Sequence, residues 1–332
     1  MTDTTFTDLV DLAAERLGGA VLLANDEFFA PKEALLRASA AEWREGSYTD
    51  RGKWMDGWET RRRREPGHDW CIVRLGIPGV VRGVVVDTSF FRGNYPEGCS
   101  MDGAEIAGTP NPAHLTPSLF SPILPRAPLA GDTRNAFPVE SDRRVTHLLF
   151  SIFPDGGVAR LRVHGDARPG ADILAPGREL DLAAVENGGY VEVCSDMFFG
   201  HRQNLIMPGR STHMGDGWET KRRRGPGNDW TIVRLAGRGT ITRIELDTDH
   251  YKGNAPGSCR IDTCDASGAA PDALAAAAWR ELLPLTALQP HARHRWNTSL
   301  GEPATHVRLS IYPDGGVARL RAFGAVDGRA TA

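Results

Sequence analysis

The chain is predicted to be all-β, two tandem jelly-roll β-sandwich domains produced by internal duplication. Three observations carry this. First, Asp56-Gly57-Trp58-Glu59-Thr60-Arg61-Arg62-Arg63-Arg64 returns as Asp216-Gly217-Trp218-Glu219-Thr220-Lys221-Arg222-Arg223-Arg224, an offset of 160, and 16 of the 20 positions from Asp56 to Leu75 are kept in Asp216 to Leu235. A period near half of 332 residues means one module built twice. Second, apolar and polar residues alternate in short runs, the mark of strands with one buried face. Third, glycine (37) and proline (22) are abundant and helical signals are few, so short strands are joined by long turn-rich connections. Such connections favour a jelly roll.

The copies are placed at about 18–166 and 188–325, with Ala167–Pro176 as a turn-rich linker. Each copy opens on an Asp-x-Phe-Phe pattern: Asp26, Phe28 and Phe29 correspond to Asp196, Phe198 and Phe199 at an offset of 170. The first copy therefore carries about ten extra residues before its Asp-Gly-Trp block. Helical signals are confined to Lys32–Ser39 and Asp272–Leu282. Cys71–Leu75 and Val80–Asp87 read as two strands, repeated at Thr231–Leu235 and Thr240–Asp247. Trp70 and Trp230 precede apolar strands and read as core plugs. In Thr146–Phe153, Leu148, Phe150 and Ile152 point inward; in Thr305–Tyr312, Val307, Leu309 and Ile311 do so, while His306, Arg308, Ser310 and Tyr312 face water. Ala159, Leu161 and Val163 mark a further strand after Pro154-Asp155-Gly156-Gly157, a turn sequence that returns at Pro313 with an offset of 159. Each copy is therefore expected to end in a β-hairpin.

Bulk composition narrows the function. Hydrophobic residues make up 41% and charged residues 24%, as in an ordinary globular protein. A net charge of −3 gives no drive toward nucleic acid or membrane, and no run of about 18 apolar residues exists. Met1 to Asp11 carries Asp3, Asp8 and Asp11 without a basic or apolar block, which argues against a secretory leader. Five irregularly spaced cysteines (Cys71, Cys99, Cys194, Cys259, Cys264) argue against a disulfide framework, so a cytoplasmic setting is expected.

The repeated part is polar, and a polar block kept in both copies points to a site. Arginine presents a planar fork suited to carboxylate or ureido oxygens. In an extended segment Glu59, Arg61 and Arg63 share one face. Gly67-His68-Asp69-Trp70 becomes Gly227-Asn228-Asp229-Trp230, so His68 is either a base present in one copy only or a turn residue. Arg92-Gly93-Asn94 and Lys252-Gly253-Asn254 form either an anion cradle or a tight turn. Asp155 and Asp314 read as turn formers, whereas Arg160 and Arg319, on the polar strand face, can reach a ligand. Nucleophile-elbow, phosphate-loop and His-Glu-x-x-His signatures are absent, and His291-x-x-His294 has no second half, so no metal site is assigned.

The paired Asp-Gly-Trp-Glu-Thr-x-Arg-Arg-Arg blocks, the Asp-Trp before Ile-Val-Arg-Leu, Asp-Thr…Gly-Asn and Pro-Asp-Gly-Gly-Val-Ala-Arg-Leu-Arg closely resemble the allantoicase family, from about Phe28 to Gly324. The resemblance implies two jelly-roll domains similar to galactose-binding, discoidin-like modules. It also implies hydrolysis of allantoate to ureidoglycolate and urea in purine degradation, a reaction at the C–N bonds of a linear amidine. That chemistry needs an anion clamp and acid–base groups. The candidate acid–base residues are Asp56, Glu59, His68 and Asp69 with Asp216, Glu219 and Asp229. The candidate substrate contacts are Arg61, Arg63, Arg92, Asn94 and Arg160 with Lys221, Arg223, Lys252, Asn254 and Arg319. No cofactor is expected. The expected partners are a small-molecule substrate and further copies of the chain in a homo-oligomer, with no nucleic acid and no membrane. The alternatives are a non-catalytic ligand-binding pair of sandwich modules and a hydrolase of a related ureido compound such as ureidoglycolate.

Overall fold

The computed structural model describes residues 6–170, 172–298 and 301–327. It divides into two units, 1–168 and 169–332. Met1 to Thr5 of the acidic leader and Ala171 of the linker lie outside the described residues.

The first unit contains β1 (Val10–Asp11), β2 (Ala20–Ala24), β3 (Tyr48–Thr49), β4 (Gly52–Lys53), β5 (Trp58–Glu59) and β6 (Asp69–Asp87). It continues with β7 (Gly98–Ala104), β8 (Ser121–Pro128), β9 (Arg134–Pro138), β10 (Arg144–Phe153), β11 (Gly157–Val158) and β12 (Arg160–Ala167). The main sheet runs β1-β12-β6-β10-β7-β8, with β2 and β9 also on β6. The second unit repeats this order around its own 19-residue strand, Asp229–Asp247, and among the described residues has no counterpart of the β3–β4 hairpin.

One strand organises each unit, where the sequence suggests two. Cys71–Leu75 and Val80–Asp87 are parts of the single strand β6. Gly-Ile-Pro-Gly between them reads as a break, but the register of β10 simply jumps there, between Val145 and His147, and the strand runs on through a bulge. The N-terminal half of β6 is flanked by β2 and β10, the C-terminal half by β9 and β12. One strand thereby serves both layers of the sandwich.

The terminal hairpin is also revised. β10 and β12 do not pair with each other; both pair with β6, on Asp69–Arg74 and Gly79–Asp87 for the most part. The glycine turn carries the chain across because the residues after it, β11, are claimed by β5. The helical signals shrink to 3₁₀ turns at Lys32–Leu36 and Ala273–Ala276, and the strand Arg280–Ala287 takes Leu282. Both units begin earlier than 18 and 188, because β1 pairs with β12 and Leu180–Asp181 pairs with the strand Arg319–Val326.

The inward positions behave as the alternation requires. Leu148, Phe150, Ile152, Val307, Leu309, Ile311, Leu161 and Val163 are fully buried. The opposite face is not wet, however: His147, Ser151, His306 and Ser310 are buried too. In the first unit a second apolar cluster of Ile72, Leu115, Phe120 and Leu149 covers that side, with Trp70 packed at its margin. The core plugs are instead Trp58 and Trp218, both with no exposed surface. All five cysteines are free thiols. Among the described residues no helix is long and apolar enough to cross a membrane.

Candidate active site

Three segments far apart in sequence place Glu59. β5 pairs with β11, setting Glu59 opposite Gly157, and Ala30 bridges to Glu59 from the other side. Thr60 locks the pairing: its amide donates to the Gly156 carbonyl at 3.1 Å, and its hydroxyl accepts from the Gly156 amide at 3.1 Å. The Gly157 amide donates to the Asn94 carbonyl at 2.8 Å. Both glycines are needed for this approach. A Cβ on Gly157 would lie 1.9 Å from Cε1 of Phe91; one on Gly156, whose φ is 137°, would lie 2.7 Å from the Asn94 carbonyl oxygen. The repeated Pro-Asp-Gly-Gly thus docks the repeated Asp-Gly-Trp-Glu. Trp58 anchors the joint, its indole N–H donating to the Asp26 carbonyl at 2.8 Å.

The docking sets the Glu59 carboxyl beside the Asn94 amide, which donates to Oε1 at 2.7 Å. Burial pushes the Glu59 pKa above the ordinary carboxylate range, and the Asn94 hydrogen bond offsets only part of this. The carboxyl lines a cleft of about 620 Å³ with walls from Phe29, Trp43, Met55 and Phe90 and polar groups from Glu45, Lys53, Arg92 and Asn94. Phe90 holds a φ of 69°, uncommon for a bulky side chain. Asp132 accepts the Phe90 amide at 2.8 Å and Arg92 Nε at 3.0 Å, so one carboxylate fixes both residues. Lys53 Nζ lies 4.1 Å from the Trp43 ring centroid.

Trp43, Glu45, Lys53 and Met55 are missing from the sequence-based candidates. They belong to the extra segment of the first copy, so a search for residues kept in both copies passes over them. The length difference between the copies was the signal.

The other carboxylates of the block are committed to arginine. Proton transfer is expected of Asp56 and substrate contact of Arg160. The structure instead joins them in a buried pair, with Arg160 Nη2 2.6 Å from Asp56 Oδ2. Arg37 Nη1 and the Glu42 amide add bonds of 2.9 Å each. Burial would raise the Asp56 pKa, but the Arg160 hydrogen bond, the Glu42 amide and the charges of Arg160 and Arg37 outweigh it and hold it low. Arg160 spends further donors on the carbonyls of Ser39, Ala40, Asp56 and Ala159. The pair clamps the extra segment to the sheet.

Asp69 and Arg63 are similarly paired at 2.7 Å, with Asn25 donating to the same oxygen at 3.0 Å. The Arg63 amide donates to Asp155 at 2.8 Å, which makes Asp155 the staple between turn and block. Arg61 is exposed and bonds Asp26 at 2.6 Å. His68 packs its ring 4.7 Å from that of Phe153, apart from the cleft; burial, then the Arg63 charge, lower its pKa against an opposing pull from Asp69.

The second copy keeps the scaffold. Arg319 pairs with Asp216 at 3.0 Å and Arg223 with Asp229 at 2.5 Å. Lys221 lies 3.7 Å from Asp196, and Lys252 is exposed at its loop tip. Asn254 donates to Glu219 Oε1 at 2.6 Å, matching the Asn94–Glu59 pair. The surroundings differ. Tyr251, in place of Phe91, donates to the Met214 carbonyl at 2.7 Å, and Met214 Sδ lies 3.4 Å from Asn254 Nδ2. Glu219 is buried beneath this segment.

Comparison with known proteins matches the family model described as Allantoicase repeat twice, at residues 10–168 and 180–327. A probable allantoicase of Pseudomonas aeruginosa (strain UCBPP-PA14) is 48% identical over 325 residues, covering 96% of this chain and 97% of that protein. The allantoicase of Dictyostelium discoideum is 47% identical, covering 95% of this chain and 86% of its own length. The crystal structure of Saccharomyces cerevisiae allantoicase superposes with a TM-score of 0.78 at 33% identity, covering 95% of this chain and 92% of that one.

Proposed function

The chain belongs to the allantoicase family, and we propose that it hydrolyses allantoate to ureidoglycolate and urea, a step of purine degradation, in the Glu59 cleft of its first copy. Allantoate carries a carboxylate and two ureido groups on one carbon, and losing urea breaks a C–N bond at that carbon. The observation that supports the cleft is the state of Glu59. Asp56 and Asp69 face arginines, while the Glu59 carboxyl has, among the described residues, a neutral amide partner and a pKa held high by burial. A carboxyl so placed is the one in the block suited to give up and take back a proton.

In this reading Glu59 donates its proton to the departing ureido nitrogen while the lone pair of the other nitrogen forms a C=N bond. Urea leaves. Water adds to the same carbon and returns a proton to Glu59, so one carboxyl serves as acid and then as base, and atoms and charge balance. Arg92 and Asn94 orient the ureido oxygens. Turnover retained after exhaustive chelation is the expected result. The exposed, edge-packed Phe198 and Phe199, 4.7 Å apart, support assembly into a homo-oligomer, which light scattering tests.

The test of the reaction is urea release from allantoate by the purified chain, compared with ureidoglycolate as substrate. Absence of urea from allantoate overturns the assignment. Wild-type turnover by Glu59→Gln moves the chemistry out of this cleft.

A further inference from the structure

The cleft presents two cations, and they are not equivalent. Arg92 is held by Asp132 at 3.0 Å. Lys53 has no carboxylate partner among the described residues; its ammonium lies over the Trp43 indole, which holds a cation in place without neutralising it. Lys53 stands at the end of the β3–β4 hairpin, and that hairpin is anchored. Arg51 Nη1 donates to the Phe28 carbonyl at 2.7 Å, and the Trp54 amide donates to the Ser47 carbonyl at 2.9 Å. The buried Asp56–Arg160 pair fixes the base of the same segment through the Glu42 amide.

Among the described residues the second copy has no such hairpin, so Lys53 has no counterpart on one there. Met214 sits against the Asn254–Glu219 pair instead, held by the Tyr251 hydroxyl. The substrate brings one carboxylate, and the cleft that holds Glu59 is also lined by Lys53, a cation without a carboxylate partner among the described residues. Resting on the assignment of the Glu59 cleft, we infer that Lys53 recognises the substrate carboxylate, and that the first copy is the one competent site in each chain. The duplication has then diverged into a working copy and a scaffold copy, distinguished by an inserted hairpin.

The experiment is steady-state kinetics of the full-length chain with allantoate and with its carboxamide analogue, for wild type, Lys53→Met and Lys53→Arg. Calorimetry with ureidoacetate, which keeps a carboxylate and one ureido group, gives the number of sites. Losing a charge-assisted hydrogen bond raises KM for allantoate about 10- to 100-fold in Lys53→Met. The preference for carboxylate over carboxamide collapses, kcat changes little, and Lys53→Arg recovers part of the loss. Because Lys53 is exposed, the melting temperature of Lys53→Met matches wild type. One ureidoacetate binds per chain. An undiminished carboxylate preference in Lys53→Met, or two ureidoacetates per chain, overturns the inference while leaving the cleft in place. Wild-type turnover by both Lys53→Met and Glu59→Gln removes the cleft itself, and the inference with it.

Discussion

Asp56 and Glu59 stand three residues apart in one block and meet opposite fates. Asp56 is held low by arginines that outweigh its burial; Glu59 is pushed up by burial against a weak amide partner. Glu59→Gln is expected to lower kcat about 10²- to 10⁴-fold, the usual contribution of a general acid. Its effect on stability has a definite sign. A carboxyl whose folded pKa is raised loses stability as pH climbs from its unfolded value through the folded one, so ionisation of Glu59 carries a cost that a neutral glutamine does not. Glu59→Gln should therefore melt no lower than wild type at pH 7, and a clear drop would mark Glu59 as a structural group. Asp56→Ala behaves oppositely, leaving the Arg160 charge buried without its partner. It should cost about 3–5 kcal/mol in a urea melt; a loss well below this would mean that carbonyl contacts alone carry Arg160.

At the scale of elements, the glycine turn and the acidic block are two halves of one joint. The sequence shows both halves repeated but not that they meet, because Thr60 and Gly156 are 96 residues apart. The turn reads locally as a hairpin, and only the claim of β5 on β11 shows that it is a crossover. Two glycines test this. Gly157→Ala forces a methyl into the Phe91 ring, whereas a Cβ on Gly93 meets nothing within 4 Å. The first should cost about 1–3 kcal/mol or more and disturb Glu59, so that turnover falls with stability. Gly93→Ala should be nearly silent in a thermal melt. Equal effects would refute the close approach.

Across the whole molecule, the two buried histidines His147 and His306 occupy equivalent strands, each with a ring nitrogen near the hydroxyl of the preceding threonine, at 2.8 and 2.9 Å. Burial, then the Arg234 charge, push His306 down to about 4 from an ordinary 6.5. Unfolded histidine takes up its proton below about 6.5 and the folded one resists, so this stability is present above pH 6.5 and is lost as pH falls toward 4. The melting temperature should fall steeply in that window, and His306→Gln should flatten the fall. An unchanged slope would assign the acid limb to paired carboxylates such as Asp56. The duplication sets this shared scaffold, while the hairpin of the first copy sets its asymmetry.

The sequence by itself determined the duplication, the all-β class, the inward faces and the family, because repeats and short-range alternation are written in neighbouring residues. It also picked out Glu59 and Asn94 as candidates in one list with Asp56, Asp69 and Arg160. Only the tertiary structure separated them, since Asp56 finds its arginine 104 residues away and Asp69 finds Asn25 44 residues away. It also supplied the cleft wall of Trp43, Lys53 and Met55. Ion pairing and burial set the state of a carboxyl, and both depend on groups that the fold, not the local sequence, brings beside it.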